Sequence, residues 1–182
     1  ECQGFVLSSR DMTLQKIAEN ALQESERKFR NITESLPLGI QMYSLQTDDS
    51  LVFCGYNPAA NSILGFDHAQ MIGKTIEEAF PSLIGTPIPQ HYREVARSGV
   101  AWHQARMEYQ DENVNGMFEV RAFQTMPGTI VAVFTDITQR IQADEALRNS
   151  EEKFATAFLT SPDSININRL SDGMYLDINQ GF

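Results

Sequence analysis

The chain holds two cysteines, Cys2 and Cys54, in 182 residues. They lie far apart with no paired spacing, which excludes a disulfide-stapled scaffold and fits a reducing compartment. Long apolar runs are also absent. The longest are about six residues, against the roughly twenty a helix needs to cross a bilayer. Basic residues are the minority, 14 Lys and Arg against 24 Asp and Glu, for a formal net charge of −10. The acid is spread over linkers and turns and no basic stripe occurs, which argues against nucleic acid as a partner. Catalytic signatures are missing too: there is no Gly-x-Ser-x-Gly elbow and no Ser–His–acid set, so no catalytic residue is assigned. His68, His91 and His103 fall singly, and the acidic pairs Asp48-Asp49 and Asp111-Glu112 read as turns, so no metal site is assigned. Its cysteine usage makes the chain read as cytoplasmic, although the full-length protein could still be membrane-attached.

What is present is a junction that occurs twice. Gly128 to Thr138 contains the continuous apolar run Ile130 to Phe134, too short for a helix and rich in β-branched residues. It reads as a strand covered on both faces. Asp136 then reads as the cap of an amphipathic helix, with Gln139 three residues on as in a capping box. Gly4 to Thr13 is a second copy, with Asp11 and Asp136 125 positions apart. Ala18, Leu22, Ser25, Glu26, Lys28, Phe29 and Pro37 recur without a gap as Ala143, Leu147, Ser150, Glu151, Lys153, Phe154 and Pro162. A period of this length is too long for a solenoid of about 20–50 residues per repeat and has the size of a whole domain.

Between the junctions the chain alternates pattern and punctuation. Leu14 to Ser35 reads as a helix, and Ala18, Leu22, Phe29 and Ile32 lie on its three-four spaced stripe. That spacing suggests a coiled-coil seam between two copies; a helix packed on its own domain is the alternative. Gly39 to Leu45 and Leu51 to Tyr56 read as a hairpin. Asn57-Pro58 starts a short helix that Gly65 stops, Thr75 with Glu78 forms a capping box, and a longer helix spans about Gln90 to Ser98 before Gly99. Three strands follow, Ala101 to Gln110, Met117 to Met126 and the run after Gly128. Two strands, short helices, then three strands make an α+β domain, an antiparallel sheet with its helices on one face.

Tyr56-Asn57-Pro58-Ala59-Ala60, Leu64-Gly65-Phe66, Met71-Ile72-Gly73-Lys74 and the closing Asp136-Ile137-Thr138, in that order, resemble a PAS domain of the sensory-box type. Glu26-x-Lys28-Phe29 and Glu151-x-Lys153-Phe154 look like the starts of successive PAS units. The resemblance divides the chain into a final strand of a preceding unit (1–13), a helical linker (14–28), a complete PAS domain (29–138), a second linker (139–152) and the truncated start of a following unit (153–182). It implies a five-stranded antiparallel sheet cupping a pocket beneath short helices. It also implies a sensor or relay role in a multidomain signalling protein, such as a histidine kinase or diguanylate cyclase. No phosphoacceptor His box, kinase nucleotide motif or Gly-Gly-Asp-Glu-Phe-like loop lies in these residues.

The expected pocket is Met42, Phe53, Leu64, Ile72, Ile76, Phe80, Tyr92, Val95, Trp102, Arg106 and Met107, either open to a small organic ligand or filled at core density. Arg121 would join it only if its strand face turned inward. PAS haem proteins use a His on the helix that carries His91, yet this His reads more simply as a surface residue. The family's light-sensing motif, Gly-x-Asn-Cys-Arg-Phe-Leu-Gln, is absent, which weighs against a flavin–thiol photosensor. No cofactor is expected. Asp136, Ile137 and Thr138 form the expected signal junction, and Ala18, Leu22, Phe29 and Ile32 the seam of a parallel homodimer. The expected partners are a second copy, neighbouring PAS and output domains of the same chain, and a small molecule. A ligand-free dimerisation or spacer module is the alternative function.

Overall fold

The computed structural model describes residues 5–111 and 114–182, with residues 5–13 described by backbone alone. Cys2, Glu112 and the residues before Phe5 lie outside the described residues. The chain forms two units, Glu1–Asp136 and Ile137–Phe182.

The first unit opens with helix α1, Phe5–Ser35. Strands β1 (Gly39–Leu45) and β2 (Leu51–Tyr56) follow as a hairpin, and then α2 (Pro58–Leu64), a 3₁₀ turn at His68–Met71, α3 (Ile76–Ala79), a second 3₁₀ turn at Pro81–Leu83 and α4 (Ile88–Ser98). Strands β3 (Trp102–Gln110), β4 (Asn115–Met126) and β5 (Thr129–Asp136) close the unit. The five strands make one sheet in the order β2-β1-β5-β4-β3, every pair antiparallel. This is the expected α+β fold, an antiparallel sheet with short helices over one face. The last strand in sequence lies at the centre because its neighbours β1 and β4 pair with both of its edges.

Local chemistry sets the helix ends. Asn57 caps α2 by accepting from the Ala60 N–H, Pro58 takes the first helical position, and Gly65 ends the helix with φ of 70°. Thr75 and Glu78 exchange both bonds of a capping box. Such a cap holds a helix of four residues that could not persist alone.

Several expectations are corrected. Residues 5–13 are helical, not a strand: an isolated strand leaves its backbone groups unpaired, whereas a helix satisfies them within the segment. β5 is covered on one face only. Ile130, Ala132 and Phe134 are buried in the core, while Val131 and Val133 on the other face are half-buried. Asp136 does not occupy the N-cap position of the following helix. It is still extended and paired with Phe118, so the N-cap position falls on Ile137, which makes no side-chain capping bond.

The second unit consists of helix α5 (Thr138–Thr160) and a small hairpin, β6 (Asn166–Asn168) with β7 (Tyr175–Ile178). α5 runs through the expected linker end at residue 152 to Thr160, because no breaker occurs before Pro162. Asn179 behind the hairpin accepts from the Ile165 N–H at 2.8 Å and donates to the carbonyls of Ser161 and Asp163 at 3.2 and 2.8 Å. Asn57 does the same in the first unit, accepting from Ile40 and donating to Thr33 and Leu38 at 2.8, 2.9 and 2.8 Å. Ile40 and Leu38 lie 125 positions before Ile165 and Asp163, the period of the sequence repeat.

Candidate functional site

Inward-facing residues of β1, β3, β4 and β5 and the underside of the helices line a cavity of about 40 Å³. At about 10–15 Å³ for each water, it has room for about three. Its wall is formed by Gln41, Leu64, Phe80, Leu83, Ile88, Tyr92, Met107, Tyr109, Phe118, Val120 and Phe134. No charged side chain is among them. Because side chains alternate along a strand, Gln41 and Tyr43 share the inner face of β1, while Ile40 and Met42 point the other way.

Gln41 belongs to a buried polar chain whose proton positions can be deduced. The backbone N–H of His68 donates to Asn61 Oδ1 at 3.1 Å, which identifies that atom as the acceptor oxygen. His68 Nδ1, 2.8 Å from the same oxygen, must therefore carry a proton. A neutral His68 then has an accepting Nε2, and Gln41 Nε2 donates to it at 3.0 Å. Gln41 Oε1 is left to accept from the Tyr43 hydroxyl at 2.8 Å. Burial pushes the pKa of His68 below its ordinary value, with the Phe66 carbonyl and Asp67 opposing. Aromatic packing holds the imidazole, with the Phe66 ring stacked at 4.4 Å and Tyr56 at 5.5 Å.

Two polar groups on the wall remain available. Tyr92 as a residue is only 4% exposed, and its hydroxyl makes no hydrogen bond; since no fully buried polar side-chain atom among the described residues lacks a partner, that hydroxyl meets open space, not packed protein. Burial drives its pKa well above the ordinary tyrosine value. The Gln41 amide also keeps a second N–H beyond the one given to His68.

Tyr109 stands on the wall shared by the cavity and its neighbouring grooves. It lines the cavity and two open grooves, of about 410 and 250 Å³. Its hydroxyl donates to Asp111 Oδ2 at 2.8 Å and accepts from Ser82 Oγ at 3.3 Å. Burial, the larger effect, with help from Asp111 pushes its pKa up to about 12.

Four of the eleven residues expected around the pocket stand on the wall of this cavity. Leu64, Phe80, Tyr92 and Met107 line the cavity. Phe53, Ile76 and Val95 are buried but serve as packing around it; the Phe53 ring lies 5.4 Å from Tyr43 and 6.0 Å from Phe80. Met42 faces the other side of the sheet, and Ile72 is 54% exposed beside a tight turn. A register shift between Gln104 and Met107 turns Arg106 out to solvent. Trp102 is half-buried and lines the 250 Å³ groove, stacked on His91 at 4.9 Å. His91 therefore sits outside the core cavity, and Arg121 is on the outer face beside Glu119. Cys54 is exposed on β2. Among the described residues no three His, Cys, Asp or Glu side chains converge as a metal site. Gln41, Leu83, Ile88, Tyr109, Phe118, Val120 and Phe134 were not among the expected residues. Strand alternation alone could have found Phe118, Val120 and Phe134.

Away from the cavity, α1 presents an apolar stripe to solvent: Leu22, Phe29 and Ile32 are 61%, 62% and 59% exposed, and Ala18 lies on the same stripe. No described helix is long and apolar enough to cross a membrane.

The family model of the PAS fold matches residues 36–142, more than half of the chain. No curated protein matches the chain. Among solved structures, it is similar to a domain of the sensory box sensor histidine kinase/response regulator from Geobacter sulfurreducens, at 14% identity over 63% of this chain and 96% of that one, with a TM-score of 0.51. The PAS domain of an HTR-like protein from Haloarcula marismortui shares 17% identity over 67% and 99% of the two chains, with a TM-score of 0.50. A LOV protein from Rhodobacter sphaeroides shares 11% over 69% and 73%, with a TM-score of 0.52. At these identities the likeness is one of fold.

Proposed function

The chain belongs to the PAS fold family, and we propose that it is a sensor and signal-relay module of a multidomain signalling protein. A small molecule in the core cavity, or a partner at the sheet, alters the packing of the sheet, and the linker helices carry the change to an output domain. The observation that carries this reading is the cavity between the sheet and the helices, with polar groups left available in an otherwise apolar wall. A hydroxyl that faces this space with no protein partner is available to a ligand.

Two chain exits support the relay. At one end, Asn57 ties the last turn of α1 to the start of β1 and α2. At the other, β5 passes into α5 through Asp136, Ile137 and Thr138, the proposed signal junction. The exposed stripe Ala18, Leu22, Phe29 and Ile32 supports a parallel homodimer through α1. The matched bonding of Asn57 and Asn179 supports a tandem PAS array in which residues 153–182 begin a following unit. The sensory box kinase relative makes a histidine kinase a reasonable output, with a diguanylate cyclase as the other candidate; no catalytic role is assigned to this stretch. We place the module in the cytoplasm.

The small volume of the cavity favours a second reading, a ligand-free dimerisation or spacer module. Native mass spectrometry before and after denaturation separates the two. A retained small molecule is expected for the sensor, whereas an apo mass at full stability would support the spacer.

A further inference from the structure

We infer that the core cavity takes a small, uncharged, oxygen-bearing organic molecule, held by the Tyr92 hydroxyl and the free N–H of the Gln41 amide. The inference rests on the sensor reading and narrows it to one chemical class. Three features of the wall carry it.

The first is the absence of a counter-charge. Every side chain on the wall is apolar, phenolic or an amide. A carboxylate or ammonium brought into that space would lose its hydration with nothing to pair it. The second is the polarity of the available groups. The Gln41 oxygen already accepts from Tyr43 and one of its N–H groups goes to His68. The second N–H has no partner and can be met only by an acceptor, and the Tyr92 hydroxyl can donate as well. The cavity thus matches a ligand that accepts, such as a ketone, ether or alcohol. The third is size. A cavity with room for about three waters admits only a molecule of a few non-hydrogen atoms. Larger members of the class would need to displace the wall at Tyr109, beyond which the two grooves open.

The test uses two molecules of nearly the same shape that differ in charge, 2-butanone and propionate. Each is titrated at neutral pH into the 182-residue chain, following backbone amide resonances. The expected result is a saturable shift for 2-butanone at residues around Leu64, Tyr92 and Val120, and none for propionate. Tyr92→Phe should weaken the ketone about fivefold, the worth of one neutral hydrogen bond, without loss of thermal stability. A merely structural role for Tyr92 would leave that affinity unchanged. Propionate binding at the same resonances, no response to 2-butanone, or equal ketone affinity in Tyr92→Phe would each overturn the inference. The sensor reading fails separately: if 2-butanone binds as expected while hydrogen exchange in α1 and α5 is unchanged, the ligand class stands and the relay does not.

Discussion

Replacing Asn57 tests the joint between the linker helix and the domain. Its side chain is almost fully buried and makes four hydrogen bonds, accepting from Ile40 and Ala60 and donating to Thr33 and Leu38. Asn57→Ala removes an N-cap, at a cost of about 0.5–2 kcal/mol. It also strips a partner from the Ile40 N–H and from two carbonyls, at about 1 kcal/mol each. The expected loss is therefore about 4 kcal/mol, a large part of the roughly 5–15 kcal/mol that holds a domain together. Asn57→Asp separates the two halves of the effect. Its carboxylate still accepts from Ile40 and Ala60 but cannot donate to Thr33 and Leu38. Urea denaturation followed by circular dichroism gives the stability, and hydrogen exchange gives the local effect. Both variants should expose the amides of residues 30–38, and only Asn57→Ala should also loosen α2. A cost under about 1 kcal/mol for Asn57→Ala, or unchanged exchange at the end of α1 in Asn57→Asp, would refute the reasoning.

Replacing Leu22 and Phe29 together with Glu should convert a dimer to monomers in light scattering, because each large apolar side chain buried contributes about 1.5–3 kcal/mol; an unchanged mass would remove α1 as the interface. His68 should make stability fall in acid. Its folded pKa is lowered, so below the unfolded value of about 6.5 the unfolded chain binds the extra proton and stability is lost as the pH drops. The nearby Asp67 opposes the shift, while Gln41 and Asn61 carry no charge. Between pH 7.5 and 5.5 the parent should lose about 1 kcal/mol more than His68→Gln, and parallel curves would show that His68 is not the group responsible. Tyr109→Phe removes the bonds to Ser82 and Asp111. It should speed exchange of 2-butanone with the cavity in NMR lineshapes while costing only about 1 kcal/mol of stability; unchanged exchange would rule out this wall as the way in.

The sequence by itself determined the element order, the sheet with its helices on one face, the caps at Asn57 and Thr75, and the 125-residue period. These depend on neighbours in the chain: side-chain alternation, the capping oxygen three residues ahead, and glycine at a left-handed position. Even so, local pattern misjudged three places where distant pairing competes. Gly4 to Thr13 has the pattern of a strand, but a strand needs partners, and residues 5–13 are helical. Ile130 to Phe134 is apolar on both faces, but only one faces the helices. Asp136 reads as the residue on which the helix starts, but its pairing with Phe118 keeps it in β5 and moves the N-cap position to Ile137. The tertiary structure alone decided which apolar residues surround a cavity and which pack around it, since that turns on register shifts such as the one between Gln104 and Met107. It alone brought Gln41 to His68 across 27 residues and left the Tyr92 hydroxyl without a partner. Hydrogen bonds between distant segments follow from how the sheet and helices dock, and no local spacing encodes that geometry.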